Sequence, residues 1–297
     1  MTEAYVDEAD AARIEAMARA DVEEELVPGP PPKKHRRLKD NLPAFGVFII
    51  FLGLWYGYHY YLPSYKQWII PLPHDVLLKG FTERDNPQNP MSLIEGVLIT
   101  GRVALQGLLI AIVLGMAVAI LMSQAKWIEN ATYPYAVAVQ AIPILAIVPV
   151  LRTLFGQGLM ARTVVCVMIS IFPIIINTLF GLKSADPLQH DLFTLHGAGR
   201  WTRLVKLQLP AATPAIFEGF RIAAGLSVVG AIVGEFFFRG TVRPRGLGIL
   251  IDLYTSRLWG EQVFAAIIIA ALLSLLFFWG FGLLRKAVIG RWYQGAR

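Results

Sequence analysis

Six long apolar runs dominate the chain, at residues 43–62, 103–122, 131–151, 162–182, 215–237 and 262–284. Each is close to the roughly 20 residues that a helix needs to cross the hydrocarbon of a bilayer. Backbone polar groups in lipid must be satisfied within their own segment, so these runs predict helices. Nothing shows the roughly ten-residue alternation of a membrane barrel. The predicted fold is therefore an all-α polytopic membrane protein with about six transmembrane helices.

The polar segments between the runs set the expected topology. Lys and Arg collect on the cytoplasmic side of membrane spans. With the N-terminus inside, the inner flanks hold 14 of these residues and the outer flanks 9. Both termini are thus expected in the cytoplasm, in a bacterial plasma membrane. Residues 1–40 read as a cytoplasmic tail: an acidic stretch with nine Asp/Glu against two Arg in residues 1–26, then the linker "PGPPPKKHRRLKD". Residues 41–285 read as the membrane domain and 286–297 as a cytoplasmic C-terminal tail. The longest outer segment, 63–93, carries the turn signals "PLPHDV" and "ERDNPQNP".

Composition agrees and narrows the function classes. Apolar residues make up 56% of the chain, charged residues 16%, and the mean hydropathy is +0.55. The net charge of +6 fits basic residues beside membrane spans, and no nucleic-acid module is legible. The one cysteine, Cys166, lies in an apolar run and reads as a buried thiol. No G-x-x-x-x-G-K-[ST] loop, H-E-x-x-H or G-x-S-x-G occurs, and the histidines share no metal-ligand spacing. The chain is expected to be no enzyme, with no metal and no cofactor of its own.

Several polar residues interrupt the apolar runs. Charges at bilayer depth cost about 2.5–3.5 kcal/mol each on insertion scales, so they face protein or water. Glu218 and Arg221 are three apart on one helix face and read as a structural pair. Arg102 opens the second run and is read as snorkelling. Gly230-x-x-x-Gly234 allows another backbone to approach closely, beside Glu235. The third run contains Pro134, Pro143 and Pro149, with Gln140 beside the kink, and predicts either a broken helix lining a path or a kink that serves packing. Pro173 and Asn177 repeat the theme in the fourth run. The candidate path residues are Gln140, Pro143, Asn177, Ser227 and Glu235.

Between the fourth and fifth runs, "HGAGRWTRLVKLQLP" carries three cations and no acid. Gly197 is followed by nine residues and then Leu207, Gln208, Leu209 and Pro210, with Asp191, Leu192 and Phe193 upstream. This spacing resembles the EAA loop of binding-protein-dependent ABC importer permeases, with Asp191 in the acidic slot and two alanines replaced. "QAIPILAIVPVLRTLFGQG", "FPIIINTLFGL" and "LPAATPAIFEGFRIAAGLSVVGAIVGEFFF" resemble segments of the nitrate/sulfonate/taurine/bicarbonate group of those permeases. The likeness runs from about residue 70 to 285. "FRGTVRPRGLG" and the acidic N-terminal segment lie outside it.

That resemblance implies a type I ABC importer permease fold. It implies a second permease subunit, as a homodimer, two ATPase subunits that hold ATP and Mg²⁺, and an extracytoplasmic binding protein. Residues 184–214 become the cytoplasmic coupling loop, with Asp191, Gly197, Arg200, Arg203, Leu207, Leu209 and Pro210 as its marked positions. Residues 191–197 are expected to form a rigid knob seated on the ATPase. The implied substrate is a small anion such as nitrate, a sulfonate or bicarbonate. The same machinery importing riboflavin or a thiamine-pyrimidine precursor is the alternative. An ATP-independent channel or secondary transporter predicts internal repeats, and none is legible.

Overall fold

The computed structural model describes residues 42–82, 91–238 and 245–290. The N-terminal tail, the "ERDNPQNP" segment, Arg239, Arg243 and residues 291–297 lie outside the described residues, and so do the expectations placed on them. Helix α1, Leu42–Tyr61, fills the first predicted run. It begins in a unit that ends at Gly53 and finishes in the second unit, Leu54–Arg297. Its Phe45, Val47, Phe48 and Ile50 are exposed, as lipid-facing side chains are.

In the second unit a 3₁₀ turn, Ser64–Ile69, leads to α2, Pro73–Thr82. "PLPHDV" is thus no turn. It opens a helix, because proline at the first helical position loses no hydrogen bond. Then follow α3 (Met91–Gln124), α4 (Lys126–Ala141), α5 (Ile144–Phe155), α6 (Leu159–Leu182) and α7 (Pro187–Leu195). Helix α8, Arg200–Phe237, runs 38 residues, and α9 (Leu247–Ser256) and α10 (Gly260–Ile289) complete the unit.

Among the described residues four helices suffice by length and composition to cross a membrane: Leu93–Gln124, α6, α8 and α10. The third predicted run is broken in two, as a broken span or a re-entrant loop is. It is α4 and α5, bent by 97° at their junction. The break sits at Pro143, where Ile142 takes ψ 122, away from helix. That is the restriction proline places on its predecessor. At Pro134 and Pro149 the chain stays helical, so one proline of the three breaks the run.

The core forms where small residues let helices touch. Lipid tails are as apolar as leucine, so close packing, not apolarity, holds such helices together. A Cβ at Gly219 would stand 2.8 Å from the Asn177 Cβ, and one at Gly230 would stand 2.7 Å from the Cys166 Cα. One at Gly234 would stand 3.0 Å from the Arg162 Cα. Gly219, Gly230 and Gly234 thus form a seam along α8 against α6. Gly115 of α3 also meets α6, where a Cβ on it would stand 2.9 Å from Ile174 Cγ2. Helix α10 closes the unit, with Ala266, Ala270 and Leu273 packed among Val103, Ala104, Val228 and Leu247.

Candidate functional site

The segment from Asp186 to Pro210 is a short capped helix on the end of a long one. Asp186 precedes α7, and its Oδ1 accepts the Leu188 N–H at 2.8 Å. Pro187 occupies the first helical position. An N-cap acid followed by proline is a strong helix start. The knob helix therefore begins at Pro187, four residues before Asp191, which lies mid-helix and exposed.

Its end is as well defined. Gly197 has φ +64, the left-handed region. The Gly197 N–H bonds to Thr194 O at 3.0 Å and the Ala198 N–H to Phe193 O at 2.9 Å. These two bonds are the Schellman arrangement, which favours glycine at this position. The Thr194 hydroxyl donates to His190 O at 2.8 Å. Arg203 Nε donates back to Ala198 O at 3.1 Å, which fastens α8 to the turn.

Helix α8 begins at Arg200, which is exposed, and passes through a π-helical segment, Leu204–Gln208. There the Leu209 N–H bonds to Leu204 O, one residue further back than in an α-helix. The following Pro210 has no N–H and would crowd the carbonyl four residues earlier, so a widened turn fits its place. Leu204 is buried with Leu182, Ala212 and Ile216, with Leu209 packed against them; Leu207 is also buried, and Pro210 is half-buried. The base of the segment is therefore anchored in the core. Its outward side is apolar: Leu188, Leu192 and Leu195 are 75%, 53% and 84% exposed at spacings of four and three. They line one face of α7, and Trp201 is also exposed.

The membrane candidates fall into two groups. Gln140 and Pro143 are exposed at the α4–α5 break, and Arg102 is exposed on α3. Asn177 is half-buried, its Nδ2 donating to Pro173 O at 2.8 Å. Ser227 and Glu235 are both 0% exposed, packed between helices of this chain. The Ser227 hydroxyl donates to Ala224 O at 2.8 Å.

Glu235 anchors the start of α9. Its Oε2 accepts the Gly248 N–H at 3.0 Å. The Thr100 hydroxyl lies 3.0 and 2.8 Å from its two oxygens and donates to the carboxylate. Thr100 in turn accepts the Leu247 N–H at 2.8 Å. A side chain on Gly246 would overlap the Glu235 carboxylate. Acid and hydroxyl together satisfy the free N–H groups of a helix N-terminus, where negative charge is favoured.

Glu218 and Arg221 pair at 3.5 Å, but the nearer partner is Arg285 of α10, whose Nη1 donates to Glu218 Oε2 at 2.7 Å. No sequence pattern points to Arg285, because the contact spans 67 residues. The same holds for Arg162: it is 7% exposed, and its Nε donates to Phe238 O at 3.0 Å, capping α8.

Residues 111–290 match the family described as the inner membrane component of binding-protein-dependent transport systems. The chain belongs to that family. It is similar to the formylaminopyrimidine transport permease ThiX of Halalkalibacterium halodurans, with 36% identity over 61% of this chain and 69% of ThiX. It is also similar to the bicarbonate transport permease CmpB of Synechocystis, with 28% identity over 85% of this chain and 90% of CmpB. Among solved structures, one chain of an amino acid ABC transporter with histidines matches at a TM-score of 0.51 and 18% identity. That match covers 68% of this chain and 94% of the other, and it shows the shared fold. This chain is an ABC permease subunit of the type I fold, a multi-pass component of the inner membrane.

Proposed function

We propose that this chain, with a second copy of itself, forms the translocation path of an importer driven by two separate ATPase subunits. A soluble extracytoplasmic protein delivers the solute, and both termini face the cytoplasm. ATP and Mg²⁺ sit on the ATPase. The observation that carries this reading is the knob: a helix of nine residues, capped at both ends, with its three outward leucines exposed. A short rigid helix with an apolar ridge suits a groove on a partner that pushes it. Asp191 and Arg200 flank the ridge and set its register by charge. Motion of the knob passes to α8 through the buried Leu204 and Leu207, and the helices exchange between inward-open and outward-open populations.

Gln140, Pro143 and Asn177 are the path residues in this proposal. Ser227 and Glu235 act from within the packing and hold the path's wall in shape. The solute is a small anion, a reading supported by the bicarbonate permease that matches over 85% of this chain. The higher identity to the formylaminopyrimidine permease, 36%, supports an uncharged heterocycle as the second reading. The test is uptake by proteoliposomes holding the permease, its ATPase and its binding protein. ATP-dependent accumulation of labelled bicarbonate, abolished by Leu192→Asp, is expected. ATP-independent uptake that survives this substitution contradicts the coupling. Uptake of formylaminopyrimidine in place of the anion contradicts the substrate alone.

A further inference from the structure

A cavity of about 530 Å³ opens between α8 and α10, lined by Arg221, Arg285 and Lys286 together with Trp279, Gly282 and Leu283. Three cations line it, and the Glu218 carboxylate contacts two of them, Arg221 and Arg285. The Arg221 guanidinium lies 4.0 Å from the centroid of the Phe278 ring. Its Nε is buried and has no hydrogen-bond partner among the described residues. Gly282 lies beside it: a Cβ there would touch Arg221 Nε at 3.5 Å, an ordinary contact. Trp279 and Leu283, on the same wall, are 62% and 65% exposed.

The depth of this cluster identifies what meets it. From Glu218 to Phe237 the chain is continuous helix, and at 1.5 Å per residue that is about 28 Å. This approaches the roughly 30 Å of a bilayer's hydrocarbon. With Phe237 at one edge of the hydrocarbon, the cations come to the other edge, next to the headgroup layer that holds the lipid phosphates and that Trp side chains favour. A surplus of positive charge inside a groove, with an apolar exit along Trp279 and Leu283, matches a headgroup with acyl chains attached.

We propose that this groove binds the phosphodiester headgroup of an anionic phospholipid. Arg221 and Lys286 hold the phosphate, and Arg285 contributes charge while it remains tied to Glu218. The acyl chains run beside Trp279 and Leu283. The inference rests on the membrane setting of the family and is independent of the coupling knob and of the transported solute.

The experiment is native mass spectrometry of the full-length chain, released from detergent after incubation with phosphatidylglycerol or phosphatidylcholine. The wild-type chain should retain one phosphatidylglycerol in preference to phosphatidylcholine. Lys286→Gln removes one exposed charge and should retain about fivefold less, the worth of one basic residue near anionic lipid. Gly282→Leu, which fills the groove, should lose retention while the chain stays monodisperse. Equal retention of the two lipids, or unchanged retention in both variants, overturns the proposal. So does displacement of phosphatidylglycerol by millimolar inorganic phosphate, which would assign the groove to a soluble anion.

Discussion

Replacing Gly197 by valine tests how far the knob depends on its cap. Gly197 holds φ +64, where an L-residue costs about 1–2 kcal/mol, and a β-branched one belongs at the upper end of that range. A Cβ at Gly197 would meet nothing within 4 Å, so the penalty is conformational and not a clash. One to two kcal/mol corresponds to a factor of about 5–30 in the population of the capped turn. Hydrogen exchange at the amides of Gly197 and Ala198, which bond to Thr194 O and Phe193 O, should accelerate by that factor. The apparent affinity for the ATPase should fall in the same direction, because a partner binds only the competent fraction. Gly197→Asn is the control: asparagine tolerates the left-handed region and should retain most of both properties. If valine leaves exchange and ATPase affinity unchanged, or asparagine fails as badly as valine, the reasoning is wrong.

Other substitutions probe the membrane core. Thr100→Val preserves shape but strips a donor from Glu235 and an acceptor from the Leu247 N–H; leaving buried polar groups unpaired costs about 1–3 kcal/mol each, so the thermal midpoint in detergent should drop. Gly230→Leu would drive a side chain into the Cys166 backbone, only 2.7 Å from a Cβ, and should abolish the folded, monodisperse protein. Gly46→Leu in α1, where nothing lies within 4 Å, should leave yield unchanged. Arg285→Gln breaks a pair whose side chains are 36% and 35% exposed; such pairs contribute under about 1 kcal/mol, so the thermal midpoint should barely move.

The apolar runs foretold helices well because hydropathy reads what lipid demands. Among the described residues four of the six runs, or five with the broken third one, suffice by length and composition as spans. The predicted 43–62 became Leu42–Tyr61, and 262–284 became Gly260–Ile289. Hydropathy reads the crossing and not the helix, however. The predicted 215–237 is only the C-terminal part of Arg200–Phe237, whose first turns carry three cations but pack Leu204 against Leu182. Pro143 marked the break between α4 and α5, but no local pattern in the sequence gives the 97° angle between them.

The knob's end was legible in Gly197, since a glycine fifteen or so residues before the next span suits a helix stop. Its start was not, because the resemblance points to the acidic slot, Asp191, and the working acid is the N-cap Asp186. Glu235 stood out as a buried charge. Its role did not, because Thr100 lies 135 residues away and the remaining donor is a backbone N–H.

The central claim is that the exposed ridge of α7 touches an ATPase. A photoreactive residue at Leu195, 84% exposed at the knob's tip, tests it most directly. The same probe at Leu109, 53% exposed on α3 within a membrane span, serves as the comparison. In the assembled transporter, irradiation should link position 195 to the ATPase and position 109 to lipid alone. Absence of any link from position 195, in a complex that still drives uptake with ATP, would contradict the account.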